Sequence, residues 1–339
     1  MRKNKTAYKA KDFASENEVK WCPGCGDYAI LKQVQSAVAE SGVPKEDIVF
    51  ISGIGCSSRF PYYMDTYGMH GIHGRATAIA SGFKIAAPDK SVWVVTGDGD
   101  SLSIGGNHLI HLLRRNIDTN ILLFNNEIYG LTKGQYSPTS PVGLKTKSSP
   151  QGVIDHSFNP LSLALGAGAA YVARTIDREP RHMKQIFKSA DENKGASFVE
   201  IYQNCPVFND GAFNAYTDRS IKEENSLFVE HGKPMMFDGG KKGIRLNGLK
   251  AEVIELGNNL TAEDCLKHDE TDEVLAQILA GFFDNDKQAE FPRVFGVIYC
   301  KPRGTYEEAL EQQIEEEIAS KGQGDLDALI AGKNTWWHN

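Results

Sequence analysis

Residues 91–100 read Ser91-Val-Trp-Val-Val-Thr-Gly-Asp-Gly-Asp100, an apolar, β-branched run that stops at a glycine-flanked carboxylate. A run that is apolar at nearly every position, rather than at alternate ones, belongs to a strand buried on both faces, as in a parallel sheet. The arrangement recurs at Asn120-Ile-Leu-Leu-Phe-Asn-Asn126. Between the two lies Gly106-Asn-His-Leu-Ile-His-Leu-Leu-Arg-Arg115, with helical apolar spacing. The unit is β-turn-α-β, with both strand ends on one edge of a sheet. Open α/β sheets bind ligands at that edge. The predicted fold class is α/β, an open, mostly parallel sheet with helices on both faces.

The residue types at the two strand ends suit a particular ligand. Asp98 and Asn126 are hard oxygen donors for an octahedral Mg²⁺ that keeps positions free for diphosphate oxygens. Gly97 and Gly99 are expected to permit a tight turn, and the helix that follows can aim free N–H groups at an anion. GDG, then residues 100–124, then Asn-Asn resembles a thiamine-diphosphate motif. Gly99, Asp100, Gly130 and Leu131 fall where backbone amides can cradle the diphosphate.

The six cysteines form the second constellation. Cys22 and Cys25 belong to a Cys-Pro-Gly-Cys turn, Cys56 follows Asp47-Ile-Val-Phe-Ile-Ser52, and Cys205 follows Ser197-Phe-Val-Glu-Ile-Tyr-Gln203. Four thiolates from one CxxC and two distant singles suit Zn²⁺ or a [4Fe–4S] cluster. A redox CxxC and ordinary buried thiols are the plainer readings. A thiamine site nearby favours iron–sulfur, because oxidising a carbanion needs an electron acceptor at hand. Cys265, in Thr261-Ala-Glu-Asp-Cys265, and Cys300, after the strand-like residues 294–299, read as plain thiols.

Five stretches then resemble one family. Trp21-Cys-Pro-Gly-Cys-Gly26, Gly53-Ile-Gly-Cys-Ser-Ser-Arg59, His70-Gly-Ile-His-Gly-Arg-Ala76, residues 97–108 and Asn125-Asn-Glu-Ile-Tyr-Gly-Leu-Thr132 resemble the β subunit of a 2-oxoacid:ferredoxin oxidoreductase. Leu102-Ser-Ile-Gly-Gly-Asn-His108 is most similar to the 2-oxoglutarate branch. The resemblance implies a thiamine-diphosphate-binding fold and three cofactors: thiamine diphosphate, Mg²⁺ and one [4Fe–4S] cluster held by Cys22, Cys25, Cys56 and Cys205. It implies that the Ile128 carbonyl joins Asp98 and Asn126 on Mg²⁺. Ile54, Gly55, Cys56 and Ser57 would line the thiamine, with His73 and Gly74 beside the diphosphate. Arg59 would clamp the substrate carboxylate. The implied reaction interconverts 2-oxoglutarate, coenzyme A and oxidised ferredoxin with succinyl-CoA, CO₂ and reduced ferredoxin. Pyruvate or a broader set of 2-oxoacids is the alternative substrate. A pyrimidine-activating Glu is expected on an α subunit, within an α2β2 assembly. A non-oxidative thiamine decarboxylase or synthase fits the four cysteines less well, and a zinc-stabilised scaffold or electron-transfer subunit would make Asp98 and Asn126 coincidental.

Composition bounds the rest. At 339 residues, 41% hydrophobic and 24% charged, the chain can form one large α/β domain with additions. A net charge of −7 gives no reason to expect nucleic acid as a partner. No apolar stretch approaches membrane-span length, and the basic N-terminus lacks the apolar core of a secretory signal. Thiolates that hold a cluster must stay reduced, which points to the cytoplasm. The expected layout is an arm over residues 1–20, the cofactor domain over 21–210 and an extension over 211–339. Residues 136–156 read as a long loop covering the cofactor. Residues 306–320 read as an exposed helix, and Trp336-Trp337 as a docking tail or a satellite-core anchor.

Overall fold

The computed structural model describes residues 7–257, 259–283 and 291–336. Trp337 and the first six residues of the arm lie outside that set. Eight strands build the main sheet: β1 (Ile48–Ser52), β2 (Tyr67–His70), β3 (Ser91–Gly97), β4 (Asn120–Asn125), β5 (Tyr171–Ile176), β6 (Ser197–Tyr202), β7 (Ser226–Phe228) and β8 (Arg293–Cys300). Their spatial order is β2-β1-β3-β4-β6-β5-β8-β7. The pairings from β2 to β5 are parallel. β8 runs antiparallel to β5, and β7 lies parallel to β8.

The central strands are apolar throughout because each side chain meets a helix layer on its own face. Val92, Val94, Ile121 and Leu123 enter one core cluster, while Trp93, Val95, Leu122 and Phe124 enter the other. The helices α1 (Asp27–Ser41), α2 (Ala76–Ala86), α3 (Gly106–Arg115), α4 (Pro160–Gly166), α5 (Pro180–Glu192) and α6 (Glu273–Ala280) divide accordingly. α1 and α5 cover the Trp93 face, and α2, α3, α4 and α6 cover the Val94 face. Two-period alternation within a continuous apolar run is the expected pattern of a doubly covered sheet.

The division after residue 210 cuts through this one sheet. β7 and β8 both come from the C-terminal part, with Val294, Phe295 and Ile298 fully buried. Within the C-terminal part, Met236–Phe237, Lys242–Asn247 and Lys250–Glu255 form a separate three-stranded antiparallel sheet. The helix α7 (Tyr306–Lys321) is exposed along nearly all its length, as is Trp336. The N-terminal arm is anchored by Phe13, which is fully buried. Among the described residues no helix is long and apolar enough to cross a membrane.

Candidate active site at the strand ends

The register brings the two strand ends level. Gly97 pairs with Phe124, and Asn125 pairs with Tyr202, so Asp98, Asn126 and Gln203 emerge together at the same edge. Around them opens a cleft with about 570 Å³ of empty space, lined by the loops after β1, β2, β3, β4 and β6. A roomier cleft at the opposite edge is lined by Glu40, Asp118, Lys188 and Asp191. It carries none of the motif residues.

Asp98 is buried, and its Oδ2 accepts hydrogen bonds from Ser137 Oγ at 2.5 Å and Thr139 Oγ1 at 2.6 Å. Burial pushes its carboxyl up to about 6, while the two hydroxyls pull the other way. Asn126 is fixed by donating from Nδ2 to Gln203 Oε1 at 2.8 Å, and its Oδ1 accepts the Ile128 N–H at 3.2 Å. Glu127, between them, adopts a left-handed backbone with φ of 56°. That bend leaves Asn126 and Ile128 on the cleft wall while Glu127 stays off it. One buried carboxylate, one amide and one carbonyl at a cleft edge form an all-oxygen set of the kind that suits Mg²⁺.

Asp100 is the hub of the loops above. Its Oδ1 accepts from Gly74 N at 2.7 Å, Ile54 N at 3.1 Å and the His73 ring at 2.5 Å, and its Oδ2 accepts from Thr96 Oγ1 at 2.7 Å. The carboxylate accepts from His73 Nδ1, so that nitrogen carries the proton. A second donation, from Nε2 to a diphosphate oxygen, then needs the doubly protonated ring. Gly74 spends its N–H on Asp100 and does not line the cleft, unlike the other expected thiamine contacts.

The glycines act differently from the expectation. Gly97 and Gly99 do not sit at positive φ, because the chain passes from β3 straight into a helical turn. Gly99 is required for another reason: a Cβ there would lie 2.1 Å from the Tyr129 ring. Gly53 likewise leaves room for Asp100, whose Oδ2 would lie 1.9 Å from a Cβ.

The four cysteines gather beside this cleft. Gly26 N–H donates to Asn204 O at 3.2 Å, which seats the Cys22–Cys25 turn against the end of β6. Cys56 Sγ and Cys205 Sγ would both lie 3.6 Å from a Cβ at Gly130, and Gln203 Nε2 donates to Cys25 Sγ at 3.2 Å. All four are free thiols. Burial pushes the Cys25 thiol far up and the Cys56 thiol up to about 12, with the neighbouring Asp27 and cysteines adding to it. Thiolates in such a setting need a compensating positive charge. Among the described residues, no three of His, Cys, Asp and Glu converge on a point that a single metal ion could occupy. A multinuclear cluster spreads its thiolates wider than one ion does. Cys265 and Cys300 sit elsewhere, Cys265 packed against Gly243 and Cys300 at the end of β8.

Residues 53–201 match the family described as thiamine pyrophosphate enzyme, C-terminal TPP binding domain. The chain is 49% identical to the 2-oxoglutarate oxidoreductase subunit KorB of Mycobacterium tuberculosis, over 97% of this chain and 88% of that one. The chain belongs to the β subunits of the 2-oxoacid:ferredoxin oxidoreductases. Another member, the 2-oxoglutarate synthase subunit KorB of Methanocaldococcus jannaschii, is 42% identical over 63% of this chain and 81% of its own. The fold matches a solved 2-oxoglutarate:ferredoxin oxidoreductase from Magnetococcus marinus, with 2-oxoglutarate, coenzyme A and succinyl-CoA bound. The TM-score is 0.77 at 34% identity, covering 97% of each chain.

Within this oxidoreductase fold, one expectation, that of a loop over the cofactor, needs revision. Residues 137–140 do not lie over the cofactor cleft. They form a buried turn beneath Asp98, and only the chain beyond them, where Val142 and Ile154 are exposed, is surface loop. Arg59 lies off the cleft wall, with its Nε donating to Tyr63 OH at 3.0 Å. Sequence reasoning missed Asp27, Tyr129, Ser137, Thr139 and Gln203. Asp27 is buried at the cleft, neither carboxylate oxygen has a hydrogen-bond partner among the described residues, and burial raises it to about 7. Its place two residues past Cys25 was the one signal available.

Proposed function

We propose that this chain is half of the active site of a 2-oxoglutarate:ferredoxin oxidoreductase. It would interconvert 2-oxoglutarate, coenzyme A and oxidised ferredoxin with succinyl-CoA, CO₂ and reduced ferredoxin. The observation that carries the reading is a single cleft edge where Asp98 and Asn126 stand beside the gathered sulfurs of Cys56 and Cys205. The ligands bound in the Magnetococcus marinus enzyme support 2-oxoglutarate as the substrate.

Asp98 and Asn126 would hold Mg²⁺ by side chain and Ile128 by its carbonyl. The N–H groups of Gly99, Asp100, Gly130 and Leu131 would take the diphosphate, with His73 held toward it by Asp100. Thiamine diphosphate, when bound, supplies the electron sink for losing CO₂ from a 2-oxoacid. Cys22, Cys25, Cys56 and Cys205 would hold a [4Fe–4S] cluster, which would supply one-electron transfer toward ferredoxin. Arg59 would bind the distal carboxylate after exchanging its Tyr63 contact, a rotation its half-buried position permits. An α subunit would supply the pyrimidine-activating Glu, in an α2β2 complex working in the cytoplasm.

The isolated chain should bind iron and show no 2-oxoacid-dependent ferredoxin reduction, and adding the α subunit should restore it with 2-oxoglutarate preferred over pyruvate. Replacing any of the four clustered cysteines by Ser should strip iron, whereas Cys265→Ser and Cys300→Ser should keep it. Full activity from the isolated chain would sink the half-site reading. Iron retained in the Cys205→Ser variant and lost in the Cys300→Ser variant would sink the cluster assignment.

A further inference from the structure

Residues 137–140, Ser-Pro-Thr-Ser, close on themselves. Ser140 N–H donates to Ser137 O at 3.1 Å, and Ser137 N–H donates to Ser140 Oγ at 2.8 Å. Ser137, Thr139 and Ser140 are all buried, and none of them lines the cofactor cleft. Their hydroxyls point instead at the backs of the proposed metal ligands. Ser137 Oγ and Thr139 Oγ1 both donate to Asp98 Oδ2, and among the described residues no side chain donates to Oδ1. Ser140 Oγ donates to the Glu127 carbonyl at 2.5 Å. Thr139 Oγ1 also lies 2.9 Å from Asn125 Oδ1. A hydroxyl has one proton, and an ionised carboxylate is the stronger acceptor, so Asp98 takes it.

One turn thus grips both halves of the ligand set. It holds the end of β3 through Asp98, and the end of β4 through Glu127, the residue between Asn126 and Ile128. We propose that residues 137–140 are a positioning turn that fixes the spacing between these ligands, and thereby makes the site select Mg²⁺ over a larger divalent cation. The proposal rests on the assignment of Asp98, Asn126 and Ile128 to Mg²⁺. The physical basis is ion size. Mg²⁺ requires near-ideal octahedral geometry at about 2.0–2.1 Å, whereas Ca²⁺ accepts a looser and more variable shell at about 2.3–2.6 Å. Ligands braced from behind by short, buried, hydroxyl-bearing side chains cannot spread to accommodate the larger ion.

The test uses the full chain co-purified with its α subunit and stripped of metal. Mg²⁺ and, separately, Ca²⁺ are titrated by calorimetry at saturating thiamine diphosphate. Losing contacts that orient metal ligands weakens metal binding by about 10- to 100-fold. Ser137→Ala with Thr139→Val should therefore lose Mg²⁺ affinity by that factor, while Ca²⁺ affinity changes much less. Thr139→Ser, which keeps the hydroxyl, should keep the parent's ratio of the two affinities. Should the double variant fail to fold, Thr139→Val, nearly isosteric, reads the same ratio. An unchanged ratio, or equal loss of both cations, overturns the positioning role. Asp98→Asn tests the underlying assignment separately: Mg²⁺ bound there as in the parent would overturn the metal site itself.

Discussion

At the scale of single residues, two titratable groups illustrate how far a side chain's role depends on what surrounds it. Asp100 follows Gly97-Asp-Gly99 in sequence, and its carboxylate is spent on four protein donors, holding the loops after β1 and β2 onto the helix after β3. Asp100→Ala should cost about 3 kcal/mol, because the Ile54 and Gly74 N–H groups would be left without their acceptor. Asp100→Asn should cost far less, since Thr96 Oγ1 can turn to accept from the new amide. Urea unfolding of the two variants checks this, and equal midpoints for parent and Asp100→Ala would remove Asp100 from the hub. His182 acts through protonation. Its Nδ1 lies 2.8 Å from Thr175 Oγ1, and burial lowers its pKa from 6.5 to about 4. The unfolded chain therefore binds a proton between pH 6.5 and 4 that the folded chain does not, so stability falls as pH drops through that window. The loss is of the order of 2 kcal/mol for a ring that is only partly buried. His182→Gln should flatten the acid limb of a Tm-versus-pH profile, and an unaltered limb would place the acid sensitivity elsewhere.

At the scale of elements, adjoining strands of the sheet are joined by a fully buried ion pair. Arg174 on β5 donates from Nε to Glu200 Oε2 on β6 at 2.6 Å, and Asn125 on β4 donates from Nδ2 to Glu200 Oε1 at 2.8 Å. This chain of contacts ends one residue before Asn126, so the pair also fixes where the β4 end points. Arg174→Met leaves a buried carboxylate unpaired and should cost about 3–5 kcal/mol. Adding Glu200→Gln removes that charge while keeping an acceptor for Asn125, and should recover most of the loss. A double variant no more stable than the single one in urea unfolding would show that the pairing is not what matters. The strands themselves were legible because continuous apolar runs bounded by Gly, Asp and Asn have few other solutions. The pair was not legible: Arg174 and Glu200 are charged residues in otherwise apolar runs, and the parallel register alone sets them side by side.

At the scale of the whole molecule, the C-terminal part is structural for the domain that carries the chemistry. β8 covers the edge of β5, and an uncovered apolar edge invites aggregation. A chain ending at residue 210 should therefore be insoluble. A chain ending after Lys321 should keep the parent's Tm to within about 2 °C, since residues 322–336 are almost wholly exposed. A soluble, cooperatively melting chain of residues 1–210 would overturn this account.

Local pattern alone determined the α/β class, the placing of Asp98 and Asn126 at two strand ends on one edge and the exposed helix near the C-terminus. Each of these depends on residue type at short spacing, or on a run whose burial leaves one reading. Tertiary structure alone decided which groups are spent inside the protein and which face the cleft. Gly74 and the Asp100 carboxylate turned inward, Asp27 and Gln203 turned to the site, and the Ser137–Ser140 turn went beneath Asp98 rather than over the cleft. The reason is that a hydrogen bond is satisfied by whichever partner the fold brings within about 3 Å. For Gln203 and Cys25 that partner lies 178 residues away in the chain, a separation at which sequence spacing says nothing about distance.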